Sequence, residues 1–317
     1  MDAAPSLEDH MSLRNKLVSL GMLTFGGLSW SQLANAALYV TIVQGLGGVE
    51  EFETRFNEQR EQITGASEAV SENVTVFSGE EASRENLLGH FESLSSSMND
   101  DDRAAIYLIG HGSYDGEQFK FNIPGPDITD ADLAEVMGSL PGQNHFIVNT
   151  ASASGAMLEA LETDDRIIIT ATRNGNEKNA TEFGTFFAQA LSSEIADINK
   201  NNNVSIQEAF DFAEREVANF FESDGRLATE HPQIRGDGAA SFTIARVQPV
   251  ETTDDDPRVT QLLSQRLDLD NQIEDLQLRR NEYSNAEYVE RLQALILESA
   301  QVSEQIDMLR GEGEDAD

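Results

Sequence analysis

Five short runs of almost continuously apolar residues constrain this chain most: Leu38–Val43 (LYVTIV), Val74–Phe77 (VTVF), Ala104–Ile109 (AAIYLI), His145–Val148, and Arg166–Thr172 (RIIITAT). Each is too short for a buried helix, and runs without polar alternation are strands covered on both faces. Helical periodicity fills the intervals at Glu50–Ile63, Ser83–Met98, Asp130–Leu140 and Ala156–Leu161. Two further helices, Thr181–Ala196 and Ile206–Phe221, flank a polar loop. Strands alternating with helices predict an α/β fold around a mainly parallel sheet, with right-handed crossovers.

Composition removes several function classes. The 317 residues carry 57 acidic and 21 basic side chains, and 21 − 57 = −36. A phosphate backbone is held by clusters of Lys and Arg, so nucleic acid is excluded as a partner, and an anionic membrane surface is disfavoured. An acidic surface with few lysines suits a salty habitat, where repulsion is screened over a few ångströms. No cysteine is present, which rules out disulfides, thiolate metal sites and a cysteine nucleophile.

The N-terminus reads as an export signal covering residues 1–36. Arg14 and Lys16 precede an apolar stretch from Leu17 to Trp30, and Ala34-Asn35-Ala36 forms a small-x-small cleavage site. The apolar stretch falls short of the ~20 residues a membrane-spanning helix needs. Met11 is then the true start. The mature chain is expected to be exported, periplasmic or secreted, with no membrane contact after cleavage. An α/β domain at 37–247 is followed by an acidic linker at 248–257. Residues 258–310 carry Leu262, Leu269, Ile273 and Leu276 on one helical face, then Tyr288, Leu292, Leu295, Val302, Ile306 and Leu309 in a 4-3 repeat. Ser284 and Glu287 form a capping box between them. This predicts a helical hairpin or short coiled coil, a candidate segment for self-association, and a frayed tail at 311–317.

Functional groups of a parallel sheet gather at the carboxyl ends of its strands. One strand ends in Gly110-His111-Gly112-Ser113, a histidine between two glycines that let the backbone turn sharply. Another breaks at Asn149 into Thr150-Ala151-Ser152-Ala153-Ser154-Gly155 before a short helix. Histidine, serine and nearby backbone donors are the minimum kit for acyl transfer, while a strand-capping histidine beside a small-residue turn fits the same residues.

YLIGHGS at 107–113 and TASASG at 150–155, with the hairpin and helix between them at Gln118–Ile123 and Ile128–Leu140, resemble the caspase-like fold, and above all the legumain branch of peptidases, over residues 38–238. The resemblance implies a three-layer sandwich and a bacterial peptidase homologue acting on peptides or proteins. It also implies that His111 is the catalytic histidine, that the N–H of Gly112 helps form the oxyanion hole, and that Arg173 lies in the wall of the primary specificity pocket. Ser152 falls where the family has its cysteine nucleophile. A hydroxyl needs a positioned base where a thiol ionises readily, so two readings stay open: an endopeptidase with a His/Ser dyad, or an inactive pseudopeptidase serving as a calcium-braced peptide-binding or scaffold protein.

The calcium expectation comes from Asp197–Glu208. Asp197, Asn199, Asn201, Ser205 and Glu208 stand at positions 1, 3, 5, 9 and 12 of an EF-hand-like loop, and Asn203 at position 7. Asn202 replaces the usual glycine at position 6. Two charged ligands predict a structural Ca²⁺ site of weak affinity, ~10⁻⁴–10⁻³ M.

Overall fold

The computed structural model describes residues 36–247 and 251–314. The segment read as an export signal lies outside the described residues, apart from Ala36. In chain order the elements are β1 (Leu38–Gln44), α1 (Glu50–Glu68), β2 (Asn73–Phe77), α2 (Arg84–Ser97), β3 (Arg103–Ile109), β4 (Gly112–Tyr114), β5 (Phe119–Phe121) and β6 (Ile128–Thr129). They continue with α3 (Asp130–Ser139), β7 (His145–Asn149), α4 (Leu158–Leu161), β8 (Arg166–Thr170), α5 (Phe183–Ala190), β9 (Asn203–Ser205) and α6 (Ile206–Ser223). The last are β10 (Gln233–Arg235), β11 (Thr243–Arg246), α7 (Pro257–Leu278) and α8 (Asn285–Glu314).

Six strands form the main sheet in the order β10-β8-β7-β3-β1-β2. Every pairing is parallel except that of β10 with β8. The period of two along each strand splits its apolar run between two cores. Val40 and Ile42, Ala105 and Tyr107, Phe146 and Val148, and Ile167 and Ile169 point toward α1, α5 and α6. Val43, Ile106, Leu108, Ile147 and Ile168 point toward α2, α3 and α4. The result is the expected three-layer α/β sandwich. Two small antiparallel sheets, β4-β5-β6 and β9-β11, sit outside it.

Side-chain caps set where the helices begin. Ser83 accepts the Asn86 N–H at the start of α2, and Thr129/Asp132 and Ser205/Glu208 form capping boxes for α3 and α6. Asp256 caps α7, which has proline in its first turn. The helix expected over Thr181–Ala196 is shorter. The Thr181 hydroxyl donates to the Thr150 carbonyl, and beyond Ala190 the Ser192 hydroxyl donates to the Gln189 carbonyl while Ser193 Oγ accepts the Ile195 N–H. These side chains compete with the helical ladder and leave only α5.

The C-terminal hairpin forms with a packing face partly different from the expected one. Val259, Leu263, Leu269, Val302 and Ile306 are its buried contacts, and Leu262, Leu295 and Leu309 flank them. The end of α7 enters the α/β core: Leu278 joins the cluster on the α1/α5/α6 side, and Glu274 takes both Arg103 (3.2 Å) and the Thr243 N–H. Two acids at 251–256, Glu251 and Asp254, pair with Arg310. Helix α8 runs to Glu314, past the point where a frayed tail was expected, and 315–317 lie outside the described residues. Among the described residues no helix is long and apolar enough to cross a membrane.

Because Leu278 is 6 % exposed inside the main core, Leu278→Ala should cost about 2–5 kcal/mol. Chemical denaturation should still show one transition, with α7 melting together with the sheet. A cost below about 1 kcal/mol would mean that α7 merely rests on the domain.

Candidate active site

The carboxyl ends of β3, β7 and β8 carry three loops that interlock through glycines. A Cβ on Gly112 would lie 2.7 Å from the Ser152 carbonyl oxygen and 2.6 Å from the Phe119 ring. One on Gly155 would collide with the backbone of Thr172, Arg173 and Asn174, and one on Gly175 with the Tyr114 ring. The loop bearing His111, the turn bearing Ser152 and the loop bearing Arg173 are thereby in direct contact, and no side chain fits between them.

Ser152 is buried, 5 % exposed, and its hydroxyl has no hydrogen-bond partner among the described residues. The next residue, Ala153, is left-handed, with φ 58°. A non-glycine residue held there marks a backbone over-determined by its surroundings. The surroundings are the Ala153 N–H, which donates to the Glu177 carbonyl (2.8 Å), and the Ser154 hydroxyl, which accepts the Thr172 N–H. Ser154 is therefore used in holding the turn, and Ser152 is left unused.

His111 follows β3 and its ring turns toward α1. Phe52 and Phe56 meet it edge-on, with centroids 4.6 and 5.1 Å away. Burial lowers its pKa, a backbone hydrogen bond at Gly47 raises it, Arg55 lowers it and Glu53 raises it. Among these influences the Gly47 backbone, just beyond β1, favours the charged ring while burial against α1 disfavours it. Gly112 opens β4 opposite Phe121. Its neighbours exchange ladder bonds, Asn122 N–H to the His111 carbonyl and Asp115 N–H to the Gln118 carbonyl. The antiparallel alternation then leaves Gly112 at a non-hydrogen-bonded pair, with its N–H facing away from β5.

Arg173 is exposed, and its Nε pairs with Glu177 at 2.9 Å. Sequence reasoning passed over Glu177, yet its nearly buried carboxylate also takes His231 Nδ1 at 2.6 Å and the backbone N–H groups of His231 and Arg173. His231 stands on this carboxylate. No motif surrounds Glu177, because its partners lie up to 54 residues away. Beside the segment that follows, a cavity of about 200 Å³ opens between Asn179, Glu182, Phe220 and Arg226. Of the other histidines, His90 bonds Thr41 (2.9 Å) and His145 Nδ1 accepts the Ala104 N–H (2.9 Å), contacts within the fold.

The Asp197–Glu208 loop lies apart, between α5 and α6. Buried Asp197 accepts the N–H groups of Asn201 and Asn202, Asn199 Oδ1 accepts Asn201 N–H, and Asn201 Oδ1 accepts Asn203 N–H. Asn202, at position 6, has φ 64° and Lys200 has φ 58°. Glu208 reaches back to Ser205, whose strand β9 pairs with β11. Among the described residues no three His, Cys, Asp or Glu side chains gather as a metal site.

The mainly parallel sheet carries its histidine loop after β3 and its serine turn after β7. Residues 59–234, more than half of the sequence, match the peptidase C13 family, and the chain belongs to that family. Among solved structures it is similar to a structural-genomics protein from Geobacter sulfurreducens (10 % identity, 67 % of this chain and 100 % of that one, TM-score 0.47). It is also similar to drICE (16 %, 63 % and 87 %, TM-score 0.37). A third is a secreted C11 cysteine protease from Bacteroides thetaiotaomicron, bound to an irreversible peptide inhibitor (12 %, 57 % and 59 %, TM-score 0.33). No curated protein matches the sequence.

The segment at 229–231 adds a pH-dependent contribution. Glu230, 2 % exposed, accepts the N–H groups of Glu182 and Phe183 at the start of α5. Burial pushes its carboxyl up to about 7, although those two amides favour the charged form. A folded pKa above the unfolded value contributes stability that is complete below about pH 4.5 and lost as pH rises through about 7. Relative to Glu230→Gln, the parent should lose about 3 kcal/mol of denaturation free energy between pH 5 and pH 8. Parallel pH profiles for the two proteins would contradict this.

Proposed function

We propose that this member of the peptidase C13 family is an exported endopeptidase that works through a His111/Ser152 dyad. The observation that carries the reading is the unbonded, nearly buried Ser152 hydroxyl on a strained turn packed against the loop that bears His111 and Gly112. In the reaction, His111 takes the Ser152 proton as Oγ bonds to the scissile carbonyl carbon. The oxyanion meets the outward Gly112 N–H, and the imidazolium returns its proton to the leaving amine as the C–N bond breaks. Water, deprotonated by the same histidine, then releases the acyl group and regenerates the hydroxyl. Exposed Arg173, beside the Ser152 turn, is the surface on which a substrate side chain would seat.

Digestion of a denatured proteome with residues 37–317 should yield new termini at a consistent residue type. Ser152→Ala and His111→Asn should each abolish them, by about 10³-fold or more in rate. Cleavage that persists in Ser152→Ala would refute the dyad. No cleavage by the parent in calcium and salt would favour the binding-module reading.

The Asp197–Glu208 loop is proposed to hold a structural Ca²⁺ that braces α6. Its support is the spacing of the oxygen donors, the left-handed Asn202 and the inward Asp197 carboxylate. Calcium at about 1–10 mM should raise the melting temperature of the parent but not of Asp197→Ala, by the mass-action relation for a weak site. A parent that melts identically in calcium and in chelator would remove the metal from this reading.

A further inference from the structure

The turn that holds His111 is itself held by the first turn of α1. Helix α1 starts without a side-chain cap at Val49, and three acids occupy its first turn: Glu50, Glu51 and Glu53. Only Glu53 folds back, its Oε1 accepting the N–H groups of Gly47 (2.7 Å) and Gly48 (3.3 Å). Gly47 is buried, and a Cβ there would come 2.6 Å from the Glu53 nitrogen, so the turn closes tightly on the helix. From the same two helical turns, Phe52 and Phe56 flank the His111 ring. Arg55 lies over Phe52, 4.8 Å from its centroid, and makes a two-pronged pair with Glu182 at the start of α5.

We infer that Glu53 is a positioning residue for the base: its carboxylate ties the Gly47–Gly48 turn to the first turns of α1, so that this turn and the Phe52/Phe56 pair hold the His111 ring in one orientation and one tautomer. The inference rests on the reading of His111 as the base. Two kinds of effect act through Glu53. Its hydrogen bonds set geometry, because a ring whose flanking turn and aromatic neighbours drift by an ångström is no longer held in one tautomer. Its charge favours the imidazolium formed during acyl transfer, against Arg55, the other charged group that faces the ring.

Two substitutions separate these effects in the full mature chain. Glu53→Gln keeps an oxygen that accepts both amides and removes the charge, whereas Glu53→Ala removes both. Glu51→Ala, an exposed neighbour in the same turn, is the control. Ring ¹⁵N spectra of His111 report tautomer and titration whether or not the protein hydrolyses anything. The parent, Glu51→Ala and Glu53→Gln should each show one tautomer below saturation by protons, with Glu53→Gln titrating at lower pH. Glu53→Ala should show a tautomer mixture and, on any peptide the parent cleaves, lose about ten- to a hundredfold in kcat with KM nearly unchanged. Parental tautomer and kcat in Glu53→Ala would overturn the inference. Should Glu53→Ala fail to fold, the titration of Glu53→Gln decides, and a parental midpoint overturns it. A parent that cleaves no peptide sinks the peptidase reading and leaves the spectra fully interpretable.

Discussion

The site depends on burial of the central strands on both faces. Tyr107 and Ile109 enter one core while Ile106 and Leu108 enter the other, and β7 and β8 repeat the division at Val148, Ile147, Ile169 and Ile168. A shift of one residue in register would exchange the two sets, so the pairing Tyr107↔Val148 and Val148↔Ile169 is strongly determined. Once register is set, the positions at which the strands end are set as well. His111, Ser152 and Arg173 follow from that at one edge of the sheet.

Close packing then converts neighbouring loops into one rigid group. Gly112, Gly155 and Gly175 admit direct backbone approach, and Glu177 adds the polar joint. Its carboxylate fastens Arg173 to His231 while its carbonyl fastens Ala153. On the other side, α1 closes over His111 with two aromatic rings. The two loops are thus held from both sides, by aromatic rings together with Glu53 on the α1 side and by the Glu177 ion pairs on the β8 side.

What could be read from the residues follows this division. The five strands, most helices and the two loops bearing His111 and Ser152 were legible because apolar period, glycines and capping residues act within a few positions of one another. The early end of α5 was not, because helical pattern continues through Ser192 and Ser193 while their hydroxyl groups take up turn bonds. Val259 and Leu263 were not, because which face of α7 packs is decided by α8 more than 30 residues later. Glu53 and Glu177 carry no motif. In a chain with 57 acids, a single useful carboxylate is indistinguishable until its partners are placed beside it.

The environment of His111 bears on why serine suits this turn. A thiolate nucleophile works best beside a protonated imidazole, which stabilises its charge before substrate arrives. A hydroxyl needs the opposite, a neutral imidazole with a lone pair ready to accept the proton. Burial against Phe52 and Phe56, reinforced by Arg55, lowers the His111 pKa and favours the neutral ring, while the Gly47 backbone and Glu53 act the other way and favour the imidazolium. That balance matches general-base catalysis by a serine better than an ion pair with a thiol. Ser152 and the cage around His111 are therefore both in keeping with the proposed His111/Ser152 mechanism.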